Sequence, residues 1–240
     1  MCGRYAATLP PEMMVELFNL FNRMDYPPRY NIKPTEPIIA IWEQQGRRTA
    51  QLVRWGFVPG WVKDPRQFPL LINARAETMR DKPAFRDSLR NQRCIIPASG
   101  YYEWKKGPDG SRQRYYITMA DGSPMAFAGL YATWSGPEGE EVDTAAIVTV
   151  DASAEVATIY DRMPAILRGD AIAAWLNTRE VEARHAVQLA LPLPEGSIRS
   201  HPVARDVGSS QAEGPKLIEP VEPESVQPKR AGGGRQLDLF

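Results

Sequence analysis

Cysteine and histidine are scarce in this sequence, and their scarcity excludes two classes of small domain. The 240 residues include two cysteines, Cys2 and Cys94, and two histidines, His185 and His201. Two cysteines cannot form the disulfide framework of a small secreted domain, and we expect no structural zinc site from these four side chains. We therefore expect no metal or other cofactor and a cytoplasmic location.

Long hydrophobic runs are also missing. No apolar stretch approaches the roughly 18 residues of a transmembrane helix, and no basic segment followed by an apolar one marks a secretory signal. The sequence contains neither G-x-x-x-x-G-K-[ST] nor a strand followed by G-x-G-x-x-G, the usual phosphate-binding loops. We expect no association with a membrane.

The charges balance overall, with 29 basic and 29 acidic residues, which argues against a protein that coats long nucleic acids. Their distribution is uneven, because positions 75–114 hold ten Lys or Arg residues against five Asp or Glu. A local basic patch suits contact with a few phosphates. On charge alone, however, a solvated surface is the simpler interpretation.

Short apolar segments between turn residues predict a single α+β domain with a largely antiparallel sheet. The predicted strands are 37–43, 51–57, 93–104, 114–120, 125–134 and 145–150. Helical spacing predicts helices at 11–24, 83–91, 151–160 and 169–177, the last continuing into a charged helical stretch at 179–190. The Asp-Gly pairs at 109–110 and 121–122 are plausible hairpin turns.

Composition changes near position 206. Residues 208–235 contain few large apolar side chains and many Ser, Glu, Pro and Gly, which predicts a flexible tail. We place the domain at 2–222 and the tail at 223–240.

The second residue carries distinctive chemistry. If Met1 is removed, Cys2 has a free amine and a thiol on adjacent carbons, with reference pKa values of about 7.7–8.0 and 8.5. An aldehyde can form an imine with this amine, and the thiolate can then close a five-membered thiazolidine ring. The open form of an abasic deoxyribose is such an aldehyde. Taken alone, a cysteine beside the initiator methionine is more simply incidental.

Several segments resemble the SRAP family (SOS-response-associated peptidase, or abasic-site processing proteins) in their order and spacing, across residues 2 to about 222. They are MCGRY, RYNIKP, WGFVPGW, LINARAET, RCIIPASGYYEWKK, DRMPAIL and HPVARDVG. The resemblance implies a single α+β domain with a barrel-like β core, flanking helices and a basic cleft for single-stranded DNA. It also implies lyase-like chemistry in which a thiazolidine links the protein to the abasic site.

The resemblance assigns roles to individual residues. Cys2 would be the nucleophile, Asn73 would position the N-terminus and the opened sugar, and Glu103 would be the general acid or base. DNA contacts would come from Arg4, Arg75 and Arg162 at phosphates, Thr149 near the backbone, and Pro34 and Trp104 lining the site. Each has a simpler alternative: Asn73 could cap a turn, Glu103 could pair with a neighbouring lysine, and Trp104 could be core.

The sequence departs from the family at two places. Tyr160 replaces the histidine that assists sugar opening and influences reversal of the link; a phenol near pKa 10 hydrogen-bonds but is a poor base. We therefore expect linking to persist while opening or release is slower. The tryptophan pair often found after Pro-Gly is here Trp61-Val62, so one stacking contact is expected to weaken.

The last five residues, Gln236, Leu237, Asp238, Leu239 and Phe240, resemble the motif that binds the bacterial sliding clamp. Three apolar side chains and a glutamine on a flexible tether suit docking in a groove. We expect a monomeric, clamp-recruited sensor of abasic sites in single-stranded DNA, acting at replication forks. The alternatives are a cysteine-type peptidase that removes its own Met1, and a non-catalytic clamp-bound DNA-binding adapter.

Overall fold

The computed structural model describes residues 2–223, which fold into thirteen β-strands and five α-helices. The strands are β1 (Tyr5–Ala7), β2 (Arg29–Ile32), β3 (Pro37–Gln44), β4 (Arg47–Trp55), β5 (Asn73–Arg75), β6 (Arg93–Ala98), β7 (Gly100–Lys106), β8 (Arg112–Met119), β9 (Met125–Ser135), β10 (Glu141–Asp151), β11 (Arg162–Pro164), β12 (Ile166–Leu167) and β13 (Ile198–Val203). The helices are α1 (Pro11–Phe18), α2 (Arg86–Asn91), α3 (Ala154–Ala157), α4 (Asp170–Leu176) and α5 (Ala183–Val187).

Five strands close into a ring at the centre of the fold. Following neighbours from β10 through β4, β3, β6 and β9 leads back to β10. Every pair in the ring is antiparallel except β10 with β4. At Gly129 on β9 a Cβ would lie 2.8 Å from the Cys94 sulfur, so the packing of β6 against β9 requires glycine there. This α+β fold with a largely antiparallel barrel-like core confirms the expectation.

A second, antiparallel sheet has the order β13-β8-β7-β1-β2. Side chains alternate between the faces of a strand. In this sheet Tyr5 and Tyr101 join the main core with the barrel, whereas Tyr102 and Tyr116 join a smaller cluster on the opposite face. The sheet therefore has an inner face against the barrel and an outer face.

Five of the six predicted strand segments each contain one strand of the structure. The sixth, 93–104, is corrected: it forms two strands in different sheets, β6 and β7, because the chain passes from the barrel to the second sheet at Ser99. The predicted helices are longer than the observed ones. Helix α1 ends at Phe18 because Asn19 adopts a left-handed conformation with φ of 50°, and Leu20 then bridges to Arg48. The charged stretch at 179–190 contains only the short α5, separated from α4 by a turn. The predicted helices at 83–91 and 151–160 likewise shorten to α2 and α3.

One of the two predicted hairpin turns is correct. The Asp-Gly pair at 109–110 joins β7 to β8, which are paired strands. The pair at 121–122 joins β8 to β9, which belong to different sheets, so the hairpin predicted there is wrong. The turn instead carries the chain from the second sheet to the barrel.

The segment 205–221 corrects the prediction of a flexible tail starting at 208. It covers the outer face of the second sheet, and Val207 and Leu217 are buried there. Polar tethers complete the attachment: Asn31 donates to the carbonyls of Ser209 and Ala212, and Val221 donates to that of Pro202. A composition argument counts apolar side chains and misses such tethers.

No helix within residues 2–223 is both long and apolar enough to cross a membrane. The predicted tail beyond 223 and its QLDLF ending lie outside the described residues.

Candidate active site

Cys2 precedes β1 and is buried in the main hydrophobic core, with 0 % of its surface exposed. Loss of solvation, and second the nearby Glu103 carboxylate, raise the pKa of the Cys2 thiol well above its usual range. A hydrogen bond from the backbone N–H of Arg4 acts in the opposite direction. The thiol is therefore protonated at neutral pH and needs a proton acceptor before it can act as a nucleophile.

Glu103 provides such an acceptor beside the thiol. It lies on the inner face of β7 with only 3 % of its surface exposed, and burial raises its pKa from 4.5 to about 7. A carboxyl group with this pKa is present in both protonation states near neutral pH. It can therefore both give and take a proton, as general acid–base chemistry requires.

Asn73 lies on β5, which runs parallel to β10 with Asn73 opposite Ile147. Its Nδ2 is 3.5 Å from the Ile147 carbonyl oxygen. Its Oδ1 is buried and accepts no hydrogen bond from the residues that the structure describes. Because buried amide oxygens are normally paired, this oxygen is a candidate acceptor for a ligand.

Arg75, two residues further along β5, lies on the same face of the strand and opposite Thr149. Its side chain is exposed and forms no hydrogen bond or ion pair within residues 2–223. An exposed guanidinium without a protein partner is well suited to bind a phosphate.

Tyr160 follows α3 and connects these two groups of residues. Partial burial raises its pKa, as do the carboxylates of Asp161 and Glu103, while the charge of Arg75 opposes the rise. The phenol therefore stays protonated at neutral pH. Because the charges of both Glu103 and Arg75 act on this phenol, Tyr160 lies within electrostatic range of both groups of residues.

Arg162 and Thr149 form a buried network beside this site. The Arg162 side chain is 10 % exposed, and its Nη2 donates to the Thr149 carbonyl at 2.8 Å. The same guanidinium pairs with the carboxylates of Glu77 and Asp151. The predicted phosphate contact of Arg162 stays a prediction, and these two carboxylates already neutralise its charge.

Arg4 lies on the outer face of the second sheet. Its Nη1 donates to Asn31 Oδ1 at 2.9 Å and to the Val207 carbonyl at 2.7 Å, and its Nη2 to the Gly208 carbonyl at 3.2 Å. These bonds fix the segment 205–221. A phosphate contact by Arg4 stays a prediction, and the phosphate would share the guanidinium with these carbonyls.

Trp104 lies away from the inner face that carries Glu103, and Pro34 lies in a turn. Trp104 is half-buried against the outer cluster, because neighbouring residues of β7 point to opposite faces. Pro34 lies in the turn between β2 and β3, followed by Thr35 with a φ of 76°, an unusual value for a β-branched residue. Their predicted contacts with DNA stay predictions.

Three residues at or beside the site were not singled out from the sequence. Tyr101 lies on the inner face of β7 beside Glu103, and its position two residues before that carboxylate is the signal that could have identified it. Glu77 lies within the LINARAET segment, whereas nothing in the local pattern marks Asp151 as an arginine partner.

A cavity of about 450 Å³ lies elsewhere and includes none of the predicted site residues; Phe57, Phe68 and Trp134 are among its walls. Near it, Trp61 is exposed and packs edge-to-face on Phe68 with ring centroids 5.8 Å apart. Val62, which occupies the position where the family often has a second tryptophan, is buried.

The family model described as SOS response associated peptidase (SRAP) matches residues 1–210 of this chain. Similar curated proteins are called abasic site processing proteins. YoqW of Bacillus subtilis is 34 % identical over 222 residues, covering 91 % of this chain and 99 % of the relative. YedK of Escherichia coli is 32 % identical over 229 residues, covering 92 % and 100 %. HMCES of Xenopus tropicalis is 30 % identical over 263 residues, covering 91 % and 78 %.

Solved structures share the fold. A protein from Bacteroides thetaiotaomicron superimposes with a TM-score of 0.82 at 24 % identity, covering 92 % of this chain and all of the other. A phage-related protein from Bordetella bronchiseptica has a TM-score of 0.68 at 30 % identity, covering 85 % and 95 %.

Proposed function

This chain belongs to the SRAP family, SOS response associated peptidase, and from that premise we propose that it captures abasic sites in single-stranded DNA by a covalent bond to Cys2. Its relatives at 30–34 % identity are named abasic site processing proteins, which supports a role in DNA damage. The bond is a thiazolidine, and its formation requires prior removal of Met1.

The observation that carries the proposal is the pairing of Cys2 with Glu103. A nucleophile whose thiol pKa is raised by burial lies beside a carboxyl group whose pKa is about 7. Imine formation and ring closure each move a proton, so a single group able to give and take one serves both steps.

The reaction begins when the Cys2 amine adds to the aldehyde carbon of the opened sugar, giving a carbinolamine. Protonated Glu103 donates to the departing hydroxyl, so that one water leaves and a C=N bond forms. The thiol proton passes to the Glu103 carboxylate as sulfur bonds to the imine carbon. The electron pair of the C=N bond returns to nitrogen, which has kept its own hydrogen, and Glu103 is again protonated as it was at the start. The product is a thiazolidine, and one water is released overall.

The β5 residues support binding of the strand. The exposed Arg75 supplies a phosphate contact, and the unpaired Oδ1 of Asn73 accepts a hydrogen bond from the Cys2 amine or a sugar hydroxyl. Thr149 and Arg162 shape the neighbouring surface, and contacts by Arg4, Pro34 and Trp104 would extend the path of the DNA. The proposal also includes recruitment by the sliding clamp through residues 236–240, in the cytoplasm at replication forks.

A denaturing gel tests the proposal. Purified protein is incubated with a single-stranded oligonucleotide carrying one abasic site, and a slower band is expected that survives denaturation. Cys2→Ala should abolish the band, whereas Cys94→Ala should retain it because Cys94 is buried on β6 and has no free α-amino group with which to close the ring. Mass spectrometry should show a mature chain starting at an unmodified Cys2. A wild-type protein that binds the oligonucleotide without forming this band would support the adapter alternative.

Peptidase activity is a second candidate, favoured by the name of the matching family. A thiol peptidase usually needs a histidine base beside its cysteine. His185 lies on α5 and His201 on β13, where its Nε2 pairs with the Ile218 carbonyl. Casein hydrolysis lost in Cys2→Ala would support this candidate.

A further inference from the structure

Tyr101 is a buried tyrosine on the inner face of β7, two residues before Glu103. It is 0 % exposed and lies opposite Tyr5 of β1 in the strand pairing. Its ring packs edge-to-face on Phe127, with centroids 6.1 Å apart. These contacts fix the ring and therefore the direction of its hydroxyl group.

The Tyr101 hydroxyl has no hydrogen-bond partner within residues 2–223. A buried hydroxyl without a partner is unfavourable, and phenylalanine would pack in the same space without that cost. By contrast, Tyr102 on the other face of β7 donates to the Tyr30 carbonyl at 2.6 Å. An unpaired buried hydroxyl therefore points to a group that it meets only during function.

The neighbours of the hydroxyl identify that group. Burial raises the pKa of Tyr101, and the next contributions come from the charges of Cys2 and then Glu103. Cys2, Tyr101 and Tyr5 also belong to one continuous core cluster. The strand pairing agrees, because Tyr5, three residues after Cys2, lies opposite Tyr101, and Glu103 is two residues further along the same face of β7. Of these side chains, Glu103 raises the pKa of the Cys2 thiol, whereas the charge of Cys2 raises the pKa values of Tyr101 and Tyr5.

We propose that the Tyr101 O–H donates a hydrogen bond to the Cys2 sulfur as it becomes a thiolate, and so positions the nucleophile for ring closure. This inference rests on the proposed thiazolidine chemistry and adds a residue that the family resemblance did not assign. In the ring-closing step the thiol proton goes to Glu103 and the sulfur electron pair forms the C–S bond. Tyr101 keeps its proton throughout and is a positioning residue.

A hydrogen bond from Tyr101 would offset the unfavourable effect of burial on the Cys2 thiolate. Burial disfavours a thiolate, and an acceptor such as Glu103 removes the proton without stabilising the charge that remains on sulfur. Donors directed at that charge perform the second task. The Arg4 backbone N–H is one such donor, and the Tyr101 hydroxyl is the second.

The test compares Tyr101→Phe with Tyr116→Phe in the mature full-length protein. Tyr116 is a buried tyrosine of the outer cluster, so its substitution controls for loss of a buried hydroxyl. The measurements are the first-order rate of cross-linking at saturating abasic oligonucleotide from pH 6 to 9, and the affinity for undamaged single-stranded DNA. We expect Tyr101→Phe to slow cross-linking about tenfold at pH 7 and to move the pH profile to higher pH, with unchanged DNA affinity. Tyr116→Phe should match the wild type.

A second substitution tests the same bond in the other direction. Replacing Tyr101 by 3-fluorotyrosine keeps the ring and makes its hydroxyl a stronger donor, so cross-linking should be faster than in the wild type and its pH profile should move to lower pH. Equal rates and pH profiles for the wild type and Tyr101→Phe would overturn the inference. A wild type that forms no cross-link would instead overturn the proposed function itself. If Tyr101→Phe fails to fold, a 3-fluorotyrosine profile identical to that of the wild type would overturn the inference.

Discussion

The guanidinium of Arg162 forms a two-point ion pair with the carboxylate of Glu77: Nη1 is 2.9 Å from Oε1 and Nη2 is 3.0 Å from Oε2. Because the same guanidinium also contacts Asp151 and the Thr149 carbonyl, it connects the turn after β5 to β10 and β11. The exposed Arg75 on the adjoining strand has no such partners in the described chain. Two arginines with the same predicted role thus have different environments.

Replacing Arg162 with methionine should mainly cost stability. The substitution leaves Glu77 without its partner and the Thr149 carbonyl without a donor. Both carboxylates are partly open to solvent, which limits the loss, so we expect the free energy of unfolding to fall by about 2 kcal/mol. Urea denaturation measures it. An unchanged midpoint would show that the network contributes nothing to the fold.

Replacing Arg75 with methionine should mainly cost DNA affinity. Each phosphate contact on single-stranded DNA contributes roughly 0.7 to the slope of log Kobs against log salt concentration. Arg75→Met should therefore reduce this slope by about 0.7, with unfolding free energy within about 0.5 kcal/mol of the wild type. Fluorescence anisotropy between low and moderate salt measures the slope in a Cys2→Ala background. The prediction fails if the slope is unchanged.

Glu103 should make stability fall as pH rises. Its pKa is about 7 in the folded protein against 4.5 ordinarily, so between these values the folded state binds more protons than the unfolded state. Unfolding free energy then decreases from about pH 4.5 to pH 7, by about 3 kcal/mol. Glu103→Gln removes this titration, so its stability relative to the wild type should increase over the same window. Denaturation at pH 5 and pH 8 measures both proteins, and parallel changes would contradict the assignment.

The outline of the fold was accessible from the sequence because its long strands have a local signature. The segments at 125–134 and 145–150 are runs of apolar, β-branched and aromatic residues bounded by turns, and both became central strands of the barrel. The short strands β5 and β11 lack such a signature. They form because β10 extends beyond its pairing with β4 and β9. The backbone N–H and C=O groups at the end of β10 pair instead with β5 on one side and β11 on the other.

Much of the candidate site followed from recognisable segments, whereas its contacts depended on the three-dimensional arrangement. Cys2 and Glu103 are 101 positions apart in the sequence, and only the pairing of β1 with β7 brings them together. Arg4 occupies a motif position, but the carbonyls that it contacts belong to a segment whose composition predicted no structure. The sequence shows that Arg4 carries a positive charge, but it does not show which groups the side chain contacts.

Deleting residues 236–240 should separate recruitment from chemistry. These residues follow the described chain, and every predicted catalytic residue lies within 2–223, so cross-linking by the isolated protein should be unchanged. Binding to purified sliding clamp, measured by surface plasmon resonance, should be lost. A matched variant with Leu239 and Phe240 changed to alanine should behave like the deletion. Absence of clamp binding by the full chain would end the recruitment proposal.

Tyr160→His should accelerate reversal of the cross-link. The phenol at this position remains protonated at neutral pH because burial and the carboxylates of Asp161 and Glu103 raise its pKa. An imidazole has a reference pKa of about 6.5 and can exchange a proton in the same place. Sugar opening and release both need such a proton transfer, which general acid–base catalysis typically speeds by about a hundredfold or more. Since Glu103 already supplies part of this function, we expect the rate of reversal to increase about tenfold.

The rate of release is measured by adding excess competing aldehyde to the preformed cross-link. Tyr160→Phe, which lacks only the hydroxyl, should reverse no faster than the wild type. Identical rates of cross-link formation and release for the wild type and Tyr160→His would show that position 160 does not take part in proton transfer.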